Sequence, residues 1–205
     1  MFNTLALIAV LIVMMLMKTI VSVIPSVLAS LIRWKENINI ESSVKLSRSR
    51  DISSIAMLLP FCLASYKFRL YNPDFIATLP DNPRLWAIIG IMLGYILVRK
   101  AAVLLIKPHK VPKKTYLAAE KSANTFFILL TLVLLLVGST ASFFNASPSS
   151  IRVAFLWLSA LIYGLYLVRK LQIFSSSCSI FAGFLYLCAL EILPTGILVA
   201  SDVIL

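Results

Sequence analysis

The chain has 205 residues, 60% of them hydrophobic and only 13% charged, whereas soluble domains run at roughly 45–50% apolar and about 25% charged. Repeated apolar runs of about 20 residues, enough to cross roughly 30 Å of hydrocarbon, exclude a soluble globular domain and indicate a polytopic helical membrane protein. The formal net charge of +11 would point a soluble protein toward nucleic acid, but here it is a question of where cations sit relative to spans, and no nucleic-acid partner is expected.

The first predicted span runs from about Thr4 to Ile24, with Lys18 near its end able to snorkel toward headgroups. The stretch "SVLAS" imitates a signal cleavage pattern ending at Ala29. No positive charge precedes the apolar core, so a retained span is expected. From Pro25 to about Ile38, Ser22, Ser26, Ser30, Arg33 and Asn37 recur every three or four residues. That spacing predicts an amphipathic helix lying at the interface, opened by Pro25 and holding Trp34 at headgroup depth. The same segment could instead pack on neighbouring spans as scaffold.

Glu41 to Asp51, "ESSVKLSRSRD", reads as a polar basic loop. A second span is predicted from about Ile52 to Phe68, containing Pro60 and ending in Lys67 and Arg69. The loop "YNPDFIATLPDNP" holds three prolines and is expected to be locally stiff. A third span covers about Leu85 to Ile106, followed by "KPHKVPKK"; a fourth covers about Ala119 to Ser142. After "NASPSS" a fifth runs from about Ile151 to Val168, and "RKLQIFSSS" leads to a sixth from about Ile180 to Val199. The predicted fold is all-α: one integral membrane domain over residues 1–205, with six transmembrane helices and an interfacial helix after the first.

Charge placement orients this scheme. If the first span runs outward to inward, fifteen of the nineteen basic residues fall on the inner side, and only Lys67, Arg69, Arg84 and Arg152 lie outside. The positive-inside rule then places both termini outside. The inner set includes Arg33, Lys35, Arg48, Arg50, Lys110, Lys113, Lys114, Arg169 and Lys170, expected to meet anionic lipid or cytoplasmic partners. "GYILVRK" (Gly94–Lys100) and "GLYLVRK" (Gly164–Lys170) share five of seven residues, 70 positions apart. A parallel transporter repeat would produce such a match; convergence on a good inner helix end explains it more simply.

Chemistry-bearing motifs are absent. Cys62, Cys178 and Cys188 have neither zinc nor Cys-x-x-Cys spacing, and His109 is the only histidine, so no metal site or cofactor is expected. No phosphate-binding loop, nucleophile elbow or metalloprotease motif occurs, and catalytic residues are not assigned. Among the eight acidic residues only Glu191 sits deep in a span, eleven residues after Ile180, about 16 Å along a helix. An ionised acid at a helix centre costs roughly 2.5–3.5 kcal/mol on insertion scales, so protonation or a partner on another helix is required. Arg99, fifteen residues past Arg84 and so about 22 Å along its helix, is the expected counter-charge. Arg169, Tyr163, Tyr166 and Tyr186 are further contact candidates. Pro194 cannot donate to the carbonyl of Leu190, so the sixth helix should kink there beside the glutamate.

The stretch "FAGFLYLCALEILPTGILV" carries Phe181, Phe184, Leu185, Tyr186, Leu187, Cys188, Leu190, Glu191, Ile192, Leu193 and Pro194. It closely resembles the terminal signature of the bacterial domain of unknown function 4271 family. The resemblance implies a small inner-membrane protein of the bacterial envelope and supplies no activity, substrate or cofactor. With little extramembrane mass and no catalytic constellation, the leading expectation is a non-enzymatic subunit or assembly factor of a larger envelope complex, partnered by the bilayer and other membrane subunits. Two alternatives stand beside it. One is a small proton- or ion-coupled transporter using Glu191; the other is a membrane enzyme holding lipid or isoprenoid phosphates with its basic inner ends.

Overall fold

The computed structural model describes residues 2–105, 112–144, 147–177 and 179–204. Among them regular structure is helical throughout: α1 (Phe2–Ile32), α2 (Lys35–Ser42), α3 (Val44–Ala56), α4 (Leu58–Lys67), α5 (Asp74–Ala77), α6 (Asp81–Leu105), α7 (Lys113–Phe143), α8 (Pro148–Ser175), α9 (Ile180–Leu187), a π-helical turn (Cys188–Ile192) and α10 (Leu193–Ile204). Five helices are long and apolar enough to cross a membrane: α1, α6, α7, α8 and the rod over Ile180–Asp202 that α9, the π turn and α10 build together. Their outward faces carry Met15, Leu136, Trp157 and Phe181, all largely exposed, as lipid-facing side chains are.

Serine caps start several of these elements. Ser43 accepts from the amide of Leu46 at the start of α3, Ser147 from Ser150 at α8, and Ser179 from Ala182 at α9. Each satisfies a donor that the first turn leaves without a helical acceptor. Arg69, with φ of 51°, ends α4 in the left-handed region, and the amide of Leu70 reaches back to the carbonyl of Ser65. That is a Schellman-type stop made without glycine.

The bundle closes around α7, which packs against α1, α2, α3, α4 and α8. Its central cluster joins Val23 and Val27 of α1, Phe126 and Leu129 of α7, and Ile162 and Tyr166 of α8. Near the C-terminal end of α7, Gly138 lets the rings of Phe68 and Phe155 close in; a Cβ there would lie 2.8 Å and 3.0 Å from them. The rod's far end is tied to the loop after α4. Tyr71 bonds Ser201 at 2.7 Å, and the amide of Asn72 donates to Asp202 at 2.6 Å.

Two predicted elements need correction. The segment predicted as a second span, 52–68, is not one long helix but belongs to α3 and α4, broken at Met57, and neither reaches span length. The supposed basic loop 41–51 is mostly the first half of α3. Arg50 and the serines at 47, 53 and 54 face inward, so this polar face is turned into the bundle rather than toward lipid. The interfacial helix predicted from Pro25 to Ile38 is also absent as drawn. Helix α1 runs unbroken through Pro25 to Ile32, and the chain breaks at Arg33–Trp34 before α2. Proline is tolerated inside long membrane-type helices because neighbouring groups can re-satisfy the freed carbonyl. The serine-rich stripe turns partly inward, with Ser30 and Asn37 buried, while Leu28 and Ile32 are exposed. Trp34 packs on Ala119, Ile173 and Phe174. The segment therefore packs on its neighbours, the scaffold alternative.

Candidate functional site

Three elements bring charge into the bundle. Helix α8 presents Tyr163, Tyr166 and Lys170 at intervals of three and four residues, which is one helical face. Helix α6 presents Tyr95 and Arg99 four residues apart. The π turn presents Glu191, and α10 adds Thr195.

Glu191 and Lys170 are each 1% exposed. The Arg99 guanidinium grips the Glu191 carboxylate with Nε at 3.0 Å from Oε2 and Nη2 at 2.8 Å from Oε1. The Lys170 ammonium donates to Oε1 from the opposite helix. The Tyr166 hydroxyl accepts from Arg99 Nη2 at 3.2 Å and from Lys170 Nζ at 3.1 Å, closing the ring of contacts. One carboxylate thus faces two cations. Charge-assisted bonds of this kind are the strong ones, and they tie α6, α8 and the last rod at one depth.

Backbone irregularity contributes directly. Instead of a simple kink at Pro194, the rod forms a π turn over Cys188–Ile192, in which the Leu193 amide donates to the carbonyl of Cys188. A π turn accommodates an extra residue and frees backbone carbonyls. The Tyr163 hydroxyl donates to the carbonyl of Glu191 at 3.0 Å. Tyr95 bonds Thr195 at 2.9 Å just beyond. Pro194 itself is buried, and the satisfied carbonyl belongs to Glu191 rather than to Leu190.

Of the sequence-derived candidates, Arg99, Tyr163 and Tyr166 meet Glu191 as expected. Tyr186 lies elsewhere, stacked on Phe174 with ring centroids 6.0 Å apart. Arg169 turns away from the carboxylate and donates through Nε to the carbonyl of Leu31, 3.0 Å away, at the end of α1. Lys170 and Arg50, assigned to the inner basic surface, are buried instead. Arg33, Lys35, Arg48 and Lys114 are exposed. Lys110 and the Lys113 side chain lie outside the described residues. Lys170 was legible in principle from its four-residue spacing after Tyr166. An Arg-Lys pair on a helix points about 100° apart, so only one of the two can face the interior.

A second ion cluster lies at the basic end of the bundle. Arg50, fully buried, donates to Glu41 at 3.0 Å and to Asp51 at 3.0 Å. Lys121 approaches the same two carboxylates at 3.3 Å and 3.2 Å. Asn124 adds a bond to Asp51 at 3.1 Å. Two carboxylates against two cations leave this cluster neutral, unlike the one around Glu191.

The chain matches the family described as Domain of unknown function (DUF4271) over residues 3–201 and belongs to it. No curated protein and no solved structure matches it.

Proposed function

We propose that this DUF4271 member is a non-enzymatic subunit or assembly factor of a larger complex in the bacterial inner membrane. The observation carrying this reading is that Glu191 finds both charged partners within its own chain. A deep carboxylate used this way locks three helices into one shape, a use of buried ionic groups as specificity elements. The scheme has six crossings, with α3 and α4 together forming a broken second one and both termini outside. Its support is positional: Lys121 of α7 contacts Ser47 and Asp51 of α3, while Gly138 of α7 packs on Phe68 just past α4. The exposed cations Arg33, Lys35, Arg48 and Lys114 then face anionic lipid or cytoplasmic partners. Purification in mild detergent, with cross-linking in native membranes, should recover a stoichiometric protein partner; recovery of the lone chain under both conditions would overturn the proposal.

A second reading is favoured by the charge imbalance at Glu191, where two cations meet one carboxylate beside a π turn, an irregularity frequent at functional sites. In it the chain is a small proton- or ion-coupled transporter. Glu191→Gln, combined with Lys170→Met to limit the imbalance, should then abolish coupled flux in proteoliposomes. Unchanged flux excludes this role.

A further inference from the structure

The neutral cluster of Glu41, Arg50, Asp51 and Lys121 has polar neighbours whose bonding capacity is unused. Asn37 Nδ2 and Oδ1, Arg50 Nη1, Ser53 Oγ and Thr125 Oγ1 are buried without a hydrogen-bond partner, and each of these residues is 0% exposed. Helical spacing gathers them. Asn37 precedes Glu41 by one turn of α2, Ser53 follows Arg50 by three residues on α3, and Thr125 follows Lys121 by four on α7. Folded proteins do not leave several such groups side by side without something between them to bond. On the outer side of the same three helices a cleft of about 410 Å³ opens, lined by Glu41, Ser47, Arg48, Asp51 and Lys121 together with three aliphatic side chains.

We propose that water enters from this cleft and occupies the space between α2, α3 and α7, forming an aqueous inlet that ends at the Met57 break. Charge decides the occupant. The four ionised groups of the buried cluster cancel, and Arg48 at the cleft is exposed, so the buried space calls for neither a cation nor an anion. The unused groups include obligate donors on Arg50 and Asn37 and an obligate acceptor on Asn37, with two hydroxyls able to do either. Water supplies both roles, and buried waters typically make about three bonds to groups of this kind. The inlet stops where the buried face becomes apolar, at Ala56, Met57, Phe61 and Cys62. It is distinct from the Glu191 cluster, and it does not depend on either reading of the whole protein's role.

The decisive experiment replaces unused polar groups by apolar ones of similar shape in the full chain, embedded in nanodiscs. A dry, unbonded group is improved by that change; a group bonded to water is not. We expect Thr125→Val and Asn37→Leu each to lower Tm by about 2–4 °C, the shift that one lost bond produces in a chain of this size. An unchanged or raised Tm in both would overturn the inlet. If either variant fails to fold, water-edited NMR on the native protein decides. Magnetisation transfer from water to the Asn37 side-chain amide supports the inlet, and no transfer overturns it.

Discussion

At the residue scale, the arithmetic of charge around Glu191 ranks its substitutions. Glu191→Gln leaves Arg99 and Lys170 facing each other with no carboxylate between them. Lys170→Met leaves the Arg99–Glu191 pair intact and neutral. Removing one partner of a buried ion pair costs about 3–5 kcal/mol because the survivor is stranded. We therefore expect Glu191→Gln to lower thermal stability far more than Lys170→Met, and Lys170→Met to recover part of the loss when added to Glu191→Gln. A double-mutant cycle in detergent measures both terms. From the sequence, Glu191 and Arg99 could be paired by depth alone. Lys170 and Arg50 could not, because Arg-Lys and Arg-x-Arg runs look like ordinary basic helix ends whichever residue turns inward.

At the element scale, the long apolar helices were legible because hydropathy reports length directly. The broken α3–α4 pair was not. Its polar first half resembles a loop until Arg50 meets Glu41 of α2 and Ser47 meets Glu41 and Lys121 of α7, contacts that no local pattern encodes. Pro25 misled for the opposite reason: local rules end a helix there, and packing lets α1 continue. Glycine positions give an element-level test. At Gly138 an added Cβ would press on Phe155, which is fully buried, and on Phe68, whereas at Gly164 it meets nothing within 4 Å. Overpacking of a tight site costs about 1–3 kcal/mol, while Gly→Ala in an open helix position gains up to about 1 kcal/mol. Gly138→Ala should destabilise the bundle and Gly164→Ala should not, as read by thermal melts of the two purified variants.

At the scale of the whole molecule, the broken pair decides topology. Five crossings would put the termini on opposite sides of the membrane; five plus an α3–α4 crossing put them on the same side. We expect both termini outside, in keeping with the distribution of basic residues. Phosphatase fusions at each end should be active and fluorescent-protein fusions dark; a split result would remove the α3–α4 crossing. Fold class and family could be read from composition and one short signature. How many times the chain crosses could not, because a crossing shielded by its own protein need not be hydrophobic.

The bond between Arg99 and Glu191 also has a history in time. Ninety-two positions separate the two residues, and synthesis proceeds at about 5–20 residues per second. Arg99 therefore leaves the ribosome roughly 5–20 s before its carboxylate exists. Through that interval α6 carries an unmatched guanidinium, and it must wait at the headgroups or inside the insertion machinery. The final rod is then what commits the earlier helices to their depth. A chain released without that rod would be marked as unfinished by two unmatched cations, Arg99 and Lys170, which gives membrane quality control something definite to recognise.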